Sequence, residues 1–76
     1  QREFYQRHLG TVRRGVWEHS ERDGRMLGYT DNYVRVEADY DALLAGTRAW
    51  VELTELTARE TVATRPAKDP AQTSAV

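Results

Sequence analysis

Seventy-six residues, 39% apolar and 30% charged, make one small domain near the lower size limit for a core built without cross-links. The chain has no cysteine, which excludes a disulfide framework, a thiolate metal site and a cysteine nucleophile, and no run approaches the roughly 20 apolar residues of a membrane-spanning helix. A net charge of −1 excludes a strongly basic protein that coats nucleic acid.

The charge is nevertheless uneven. Residues 1–14 hold Arg2, Arg7, Arg13 and Arg14 against Glu3, a local balance of 4 − 1 = +3, and Lys68 is the one lysine among eleven basic residues. Arginine suits bidentate phosphate contacts and stacking on bases better than lysine does, although GC-rich coding produces the same bias. The chain starts at Gln1, as a piece of a longer protein or a processed chain would. A cytoplasmic setting without a membrane fits this composition.

In chain order, residues 1–9 (QREFYQRHL) place Phe4, Tyr5 and Leu9 at helical spacing before Gly10. They predict the end of an upstream helix or a linker. Residues 11–19 (TVRRGVWEH) predict a first strand. Val12, Arg14 and Val16 share one parity and Arg13, Gly15 and Trp17 the other; neither set is cleanly apolar, and a bulge near Gly15 would reconcile them. Asp23-Gly24 predicts a tight hairpin turn into a second strand, 25–30 (RMLGYT).

Asp31-Asn32 reads as a two-residue turn into a third strand, 33–37 (YVRVE). That register places Leu27, Tyr29, Val34 and Val36 on the core face, with Gly28, Thr30, Tyr33 and Arg35 on the surface. Gly28 is then either a flat spot beside an exposed ring and guanidinium or a bulge. Residues 39–46 (DYDALLAG) predict a helical turn capped by Asp39 or Asp41, with Leu43 and Leu44 packed down and Gly46 closing it. Strand four, 47–54 (TRAWVELT), alternates Ala49, Val51 and Leu53 inward with Arg48, Trp50 and Glu52 outward. Residues 60–64 predict a weak fifth strand, and residues 66–76 a disordered tail. The expected fold is all-β: a small five-stranded antiparallel barrel of OB/SH3-like type over 10–65, with one short helical turn.

Catalytic chemistry is not expected. His8 and His19 belong to no metal-binding spacing, the acids Glu21, Asp23, Asp31, Asp39 and Asp41 fall at turns, and no glycine run precedes a helix as a phosphate cradle.

Gly10, Val16-Trp17-Glu18, GYTDNYVRV (28–36), Gly46 and Val51-Glu52-Leu53 together resemble the TRAM domain, a five-stranded RNA-binding barrel carried by tRNA- and rRNA-modifying enzymes. The segment 28–36 is similar to the Gly-Tyr-Thr-x-Asn-Tyr-x-x-Val signature of the threonylcarbamoyladenosine tRNA methylthiotransferases, and the lead-in FYQRHLG resembles the end of their radical domain. Two features depart from the pattern: Gly15 stands where a β-branched residue is usual, and ELTARETVAT lacks the glycine of the last turn.

The resemblance implies an accessory module that positions tRNA, with the anticodon region and upstream catalytic domains as partners. It implies no cofactor in this chain, the parent's S-adenosylmethionine and iron–sulfur clusters lying upstream. The expected RNA contacts are Tyr33 by stacking and Arg13, Arg14, Arg25, Arg35 and Arg48 on phosphate. Residues 10–53 hold six arginines and eight acids, 6 − 8 = −2, so the electrostatic affinity is expected to be weak. The alternatives are a barrel that grips a ribosomal or other partner protein, and a stand-alone RNA chaperone.

Overall fold

The computed structural model describes residues 2–72. A short helix α1 (Arg2–Arg7) leads into five strands: β1 (Val12–Trp17), β2 (Arg25–Thr30), β3 (Arg35–Asp39), β4 (Arg48–Leu56) and β5 (Val62–Pro66). They close into a barrel in the order β1-β2-β3-β5-β4. This is the small closed barrel expected, with one pair, β3/β5, running parallel (Val36 beside Val62). Closure removes both sheet edges, which matters where so few strands share one core.

The inward residues are Trp17, Met26, Val34, Val36, Val51, Leu53 and Val62, joined from outside the barrel by Tyr5 of α1. The β4 alternation is as expected: Ala49, Val51 and Leu53 face the core. In β1 the inward set is Arg13, Gly15 and Trp17, and no bulge is needed, because Gly15 pairs regularly with both Thr30 and Ala49.

The turns follow the local chemistry. Asp23 and Gly24 both have positive φ (54° and 79°), and Arg22 and Arg25 exchange backbone hydrogen bonds across them, as a two-residue hairpin turn requires. Beyond Asp41 the chain makes the single helical turn expected: Asp41 Oδ1 accepts from Leu43 N at 2.9 Å, the Asp41 carbonyl accepts from Leu44 N and Ala45 N, and Gly46 closes the turn at φ 77°. One turn cannot aim two adjacent leucines inward. Leu44 packs against the core, whereas Leu43 is 86% exposed, contrary to expectation.

The β2/β3 register is one residue away from the expected one. Gly28 pairs with Val36 and Tyr29 with Arg35, so the loop has three residues, Asp31, Asn32 and Tyr33. Thr30 N donates to Val34 O and Tyr33 N donates to Thr30 O, with Tyr33 in the left-handed region at φ 68°. Three-residue hairpins of this kind end on such a residue, usually glycine. A one-residue slip exchanges the faces of a strand. Met26, Gly28 and Thr30 therefore point inward, and Leu27 and Tyr29 point outward.

The physical reason is Trp17. A Cβ on Gly28 would overlap the Val16 carbonyl oxygen and lie 3.0 Å from the Trp17 ring, so only glycine lets this large side chain fill the barrel opposite it. Gly28 is thus neither a surface platform nor a bulge.

The last strand starts two residues later than expected. Its turn is made without glycine: Glu60 takes φ 64°, while Thr57 Oγ1 accepts from Arg59 N and Thr61 N. Order continues past the expected domain end, since Pro66 pairs with Val51, Ala67 N donates to Trp50 O, and Pro70–Gln72 form a 3-10 turn. Residues 73–76 of the expected tail lie outside the described residues. No described helix is long and apolar enough to cross a membrane.

Candidate nucleic-acid interface

The outer face of β4, β1, β2 and β3 carries one cross-strand row, Arg48–Val16–Tyr29–Arg35, each residue paired in register with the next. Trp50 and Arg14 form the adjoining pair, with the Arg14 guanidinium 5.7 Å from the centre of the Trp50 ring. Tyr29 and Val16 are 47% and 49% exposed, which is high for apolar residues paired within strands. The Arg35 guanidinium lies 4.3 Å above the Tyr29 ring and pairs with Glu18 at 3.0 Å.

Tyr33 overhangs this row. Tyr33 is 82% exposed, and a β-carbon residue in the left-handed region is disfavoured by about 1–2 kcal/mol. The loop is held by side-chain bonds that leave the Tyr33 ring free. Thr30 Oγ1 accepts from Val34 N at 3.0 Å and donates to Asn32 Oδ1. Asn32 Nδ2 lies 3.3 Å from His8 Nδ1, and Tyr5 OH accepts from Arg35 N at 3.3 Å. The segment expected as an upstream helix end or a linker thus braces the loop that presents Tyr33.

Two grooves flank the ring. The first, of about 570 Å³, is lined by Arg14, Val16, Tyr29, Asp31, Tyr33 and Arg48 among others. The second runs along β2 and β3 beneath the 57–61 turn, past Arg25, Leu27, Arg35, Glu37 and Arg59.

Their electrostatics differ. In the second groove, Glu37 is buried and receives Arg25 Nη2 at 2.8 Å, Thr61 Oγ1 at 2.6 Å and Arg59 Nη2 at 3.6 Å, while Arg25 also grips Asp39 at 2.7 Å. Burial works to raise the Glu37 pKa, but the hydrogen bonds from Thr61 and Arg25 and the charges of Arg25 and Arg59 outweigh it. The carboxyl is held below its ordinary range. In the first groove, Arg14 and Arg48 have no acidic partner among the described residues.

The six expected contact residues therefore separate. Arg14, Arg48 and Tyr33 share the first groove, and Arg35 closes the row beside it. Arg25 is on the same side of the barrel but is engaged by two acids. Arg13 points toward the interior, with its Nε buried and unpartnered.

Tyr29 was expected in the core and is instead the middle of the exposed row. The alternating pattern could not reveal this, because Leu27 and Tyr29 are more apolar than Gly28 and Thr30, and the decisive partner, Trp17, lies on another strand. Among the described residues, no group of three or more His, Asp or Glu side chains is placed to hold a metal ion. No family model matches this chain, and no curated protein or solved structure shows significant similarity to it.

Proposed function

We propose that this barrel is an RNA-binding accessory module that holds tRNA near the anticodon for a separate catalytic centre. In the parent suggested by the GYTDNYVRV segment, that centre methylthiolates threonylcarbamoyladenosine with S-adenosylmethionine and iron–sulfur clusters bound upstream. The observation that carries the reading is Tyr33: a nearly naked aromatic ring, kept in a disfavoured backbone conformation between two grooves and beside free guanidiniums. Outliers of this kind persist where the surroundings impose them, and they concentrate at binding sites. Base–aromatic stacking is worth about 1–3 kcal/mol per base, enough to offset that conformational cost. Binding energy gained at a distance is a recognised way to position a substrate for chemistry elsewhere.

Titration of the isotope-labelled chain with an anticodon stem-loop tests this. Amide shifts should centre on Arg14, Val16, Tyr29, Tyr33 and Arg48, and shifts confined to the opposite side of the barrel would defeat the assignment. A second reading, a barrel that grips a partner protein, draws on the apolar wall of Val16, Tyr29 and Tyr33 together with a net charge of only −1. The same titration with a ribosomal protein in place of RNA distinguishes the two.

A further inference from the structure

The first groove holds a charge that an RNA-binding surface has no general use for. Asp31 lines it beside Tyr29, Tyr33, Arg14 and Arg48. Aspartate in a turn ordinarily accepts from a backbone N–H two residues on. Here the turn is held instead by Thr30 and Asn32, and by the Asp31 backbone N–H, which donates to Arg14 O at 2.9 Å. The Asp31 carboxylate has no hydrogen-bond or ion-pair partner among the described residues, although two unpaired guanidiniums line the same groove. The groove therefore presents three unfilled demands together: aromatic walls for a flat ring, cations for flanking phosphates, and a carboxylate for N–H donors.

We infer that this groove takes an unpaired guanine of single-stranded RNA, with Asp31 as the residue that specifies the base; the inference rests on the RNA-binding reading above. A carboxylate is an acceptor with two oxygens and is best met by two adjacent donors. Guanine offers such a pair, N1–H beside the exocyclic N2–H, on its Watson–Crick edge. Adenine and cytosine place a ring acceptor next to their amino group, and uracil flanks its single N–H with two carbonyls, so each of them sets a lone pair against Asp31. Stacking on Tyr33 accepts any base, whereas the carboxylate accepts one. The Arg14 and Arg48 guanidiniums take the phosphates on either side, which keeps the local negative charge of Asp31 from repelling the strand.

The test is a titration of the 76-residue chain with the pentanucleotides UUGUU, UUAUU, UUCUU, UUUUU and UUIUU, where I is inosine, for wild type and Asp31→Asn. Asp31 is an exposed turn residue whose side chain holds no other group, so the variant should keep the wild-type amide spectrum elsewhere. Wild type should prefer UUGUU over UUUUU by roughly 5- to 150-fold, the range for one bidentate base contact. Inosine, which keeps N1–H and lacks the amino group, should fall between. Asp31→Asn should lose the guanine preference while binding UUUUU more tightly, because a negative charge has gone. Equal affinity for all five oligonucleotides, or a preference that survives Asp31→Asn, overturns the guanine inference and leaves the RNA reading intact. No binding to any oligonucleotide or to the anticodon stem-loop overturns both.

Discussion

Tyr33 and Gly28 occupy unusual positions for opposite reasons. Tyr33 adopts a conformation that glycine would take more readily, and no contact in the core accounts for its side chain. Tyr33→Gly should therefore leave the barrel as stable as before or stabilise it by up to about 1 kcal/mol, the relief of left-handed strain being partly offset by a freer unfolded chain. The same variant should weaken RNA binding by about 1–3 kcal/mol. Urea denaturation and RNA titration of one preparation check both halves; a large loss of stability would show that the ring is structural. Gly28 has no such alternative, because a Cβ there meets β1 backbone as well as the Trp17 ring. Gly28→Ala should cost about 3 kcal/mol, the upper part of the range for overpacking, in thermal or urea melts. Gly15→Ala, whose nearest atom would be Tyr29 O at 3.2 Å, should cost less.

Among the elements, the β2/β3 hairpin decides the chemistry of the surface, and two devices hold it. One is α1, which inserts Tyr5 into the core and ties His8 to the loop through Asn32. The other is the Glu37 cluster, which joins β2 and β3 to the turn before β5 through Arg25, Arg59 and Thr61. Because the Glu37 pKa is depressed in the folded state, its contribution is complete above the unfolded value of 4.5 and is lost as pH falls through the lower folded value. Stability by urea denaturation should decline below about pH 4.5. Glu37→Gln should remove that part of the decline and, at neutral pH, cost about 1–3 kcal/mol for the unmatched guanidinium. Parallel pH profiles of wild type and variant would contradict the assignment.

At the scale of the whole molecule, the distribution of charge matters more than its sum. The net charge is −1, but Glu37 and Asp39 pair with Arg25 and Glu18 pairs with Arg35, whereas Arg14 and Arg48 on the neighbouring strands have no acidic partner among the described residues. Two to three neutralised phosphates on a single strand predict a slope of log K against log salt of about −1.4 to −2. Anisotropy titrations between low and physiological salt measure it. A slope near zero would favour the protein-partner reading, and a much steeper one would mean that the groove is only part of the RNA contact.

The five strands in their order, the Asp23-Gly24 turn and the inward face of β4 were legible in the sequence, because each depends on residues adjacent along the chain, whereas β3 and β5 each start two residues later than expected. So were the candidates Arg14, Arg48 and Tyr33, which the structure brings to one groove. The β2/β3 register was not legible. Nothing in Asp31-Asn32-Tyr33 marks a left-handed third position, and the more apolar set of β2 pointed the wrong way. Closing the barrel placed Trp17 opposite Gly28, and the volume of that one ring turned the small residues of β2 inward and Tyr29 outward. By itself the sequence determined a small β-barrel with exposed arginines and a surface tyrosine, Tyr33, which it placed at the start of the third strand. Which of those arginines are free, and which aromatic ring joins Tyr33 on the surface, only the tertiary structure decided, since both depend on pairing between strands far apart in the chain.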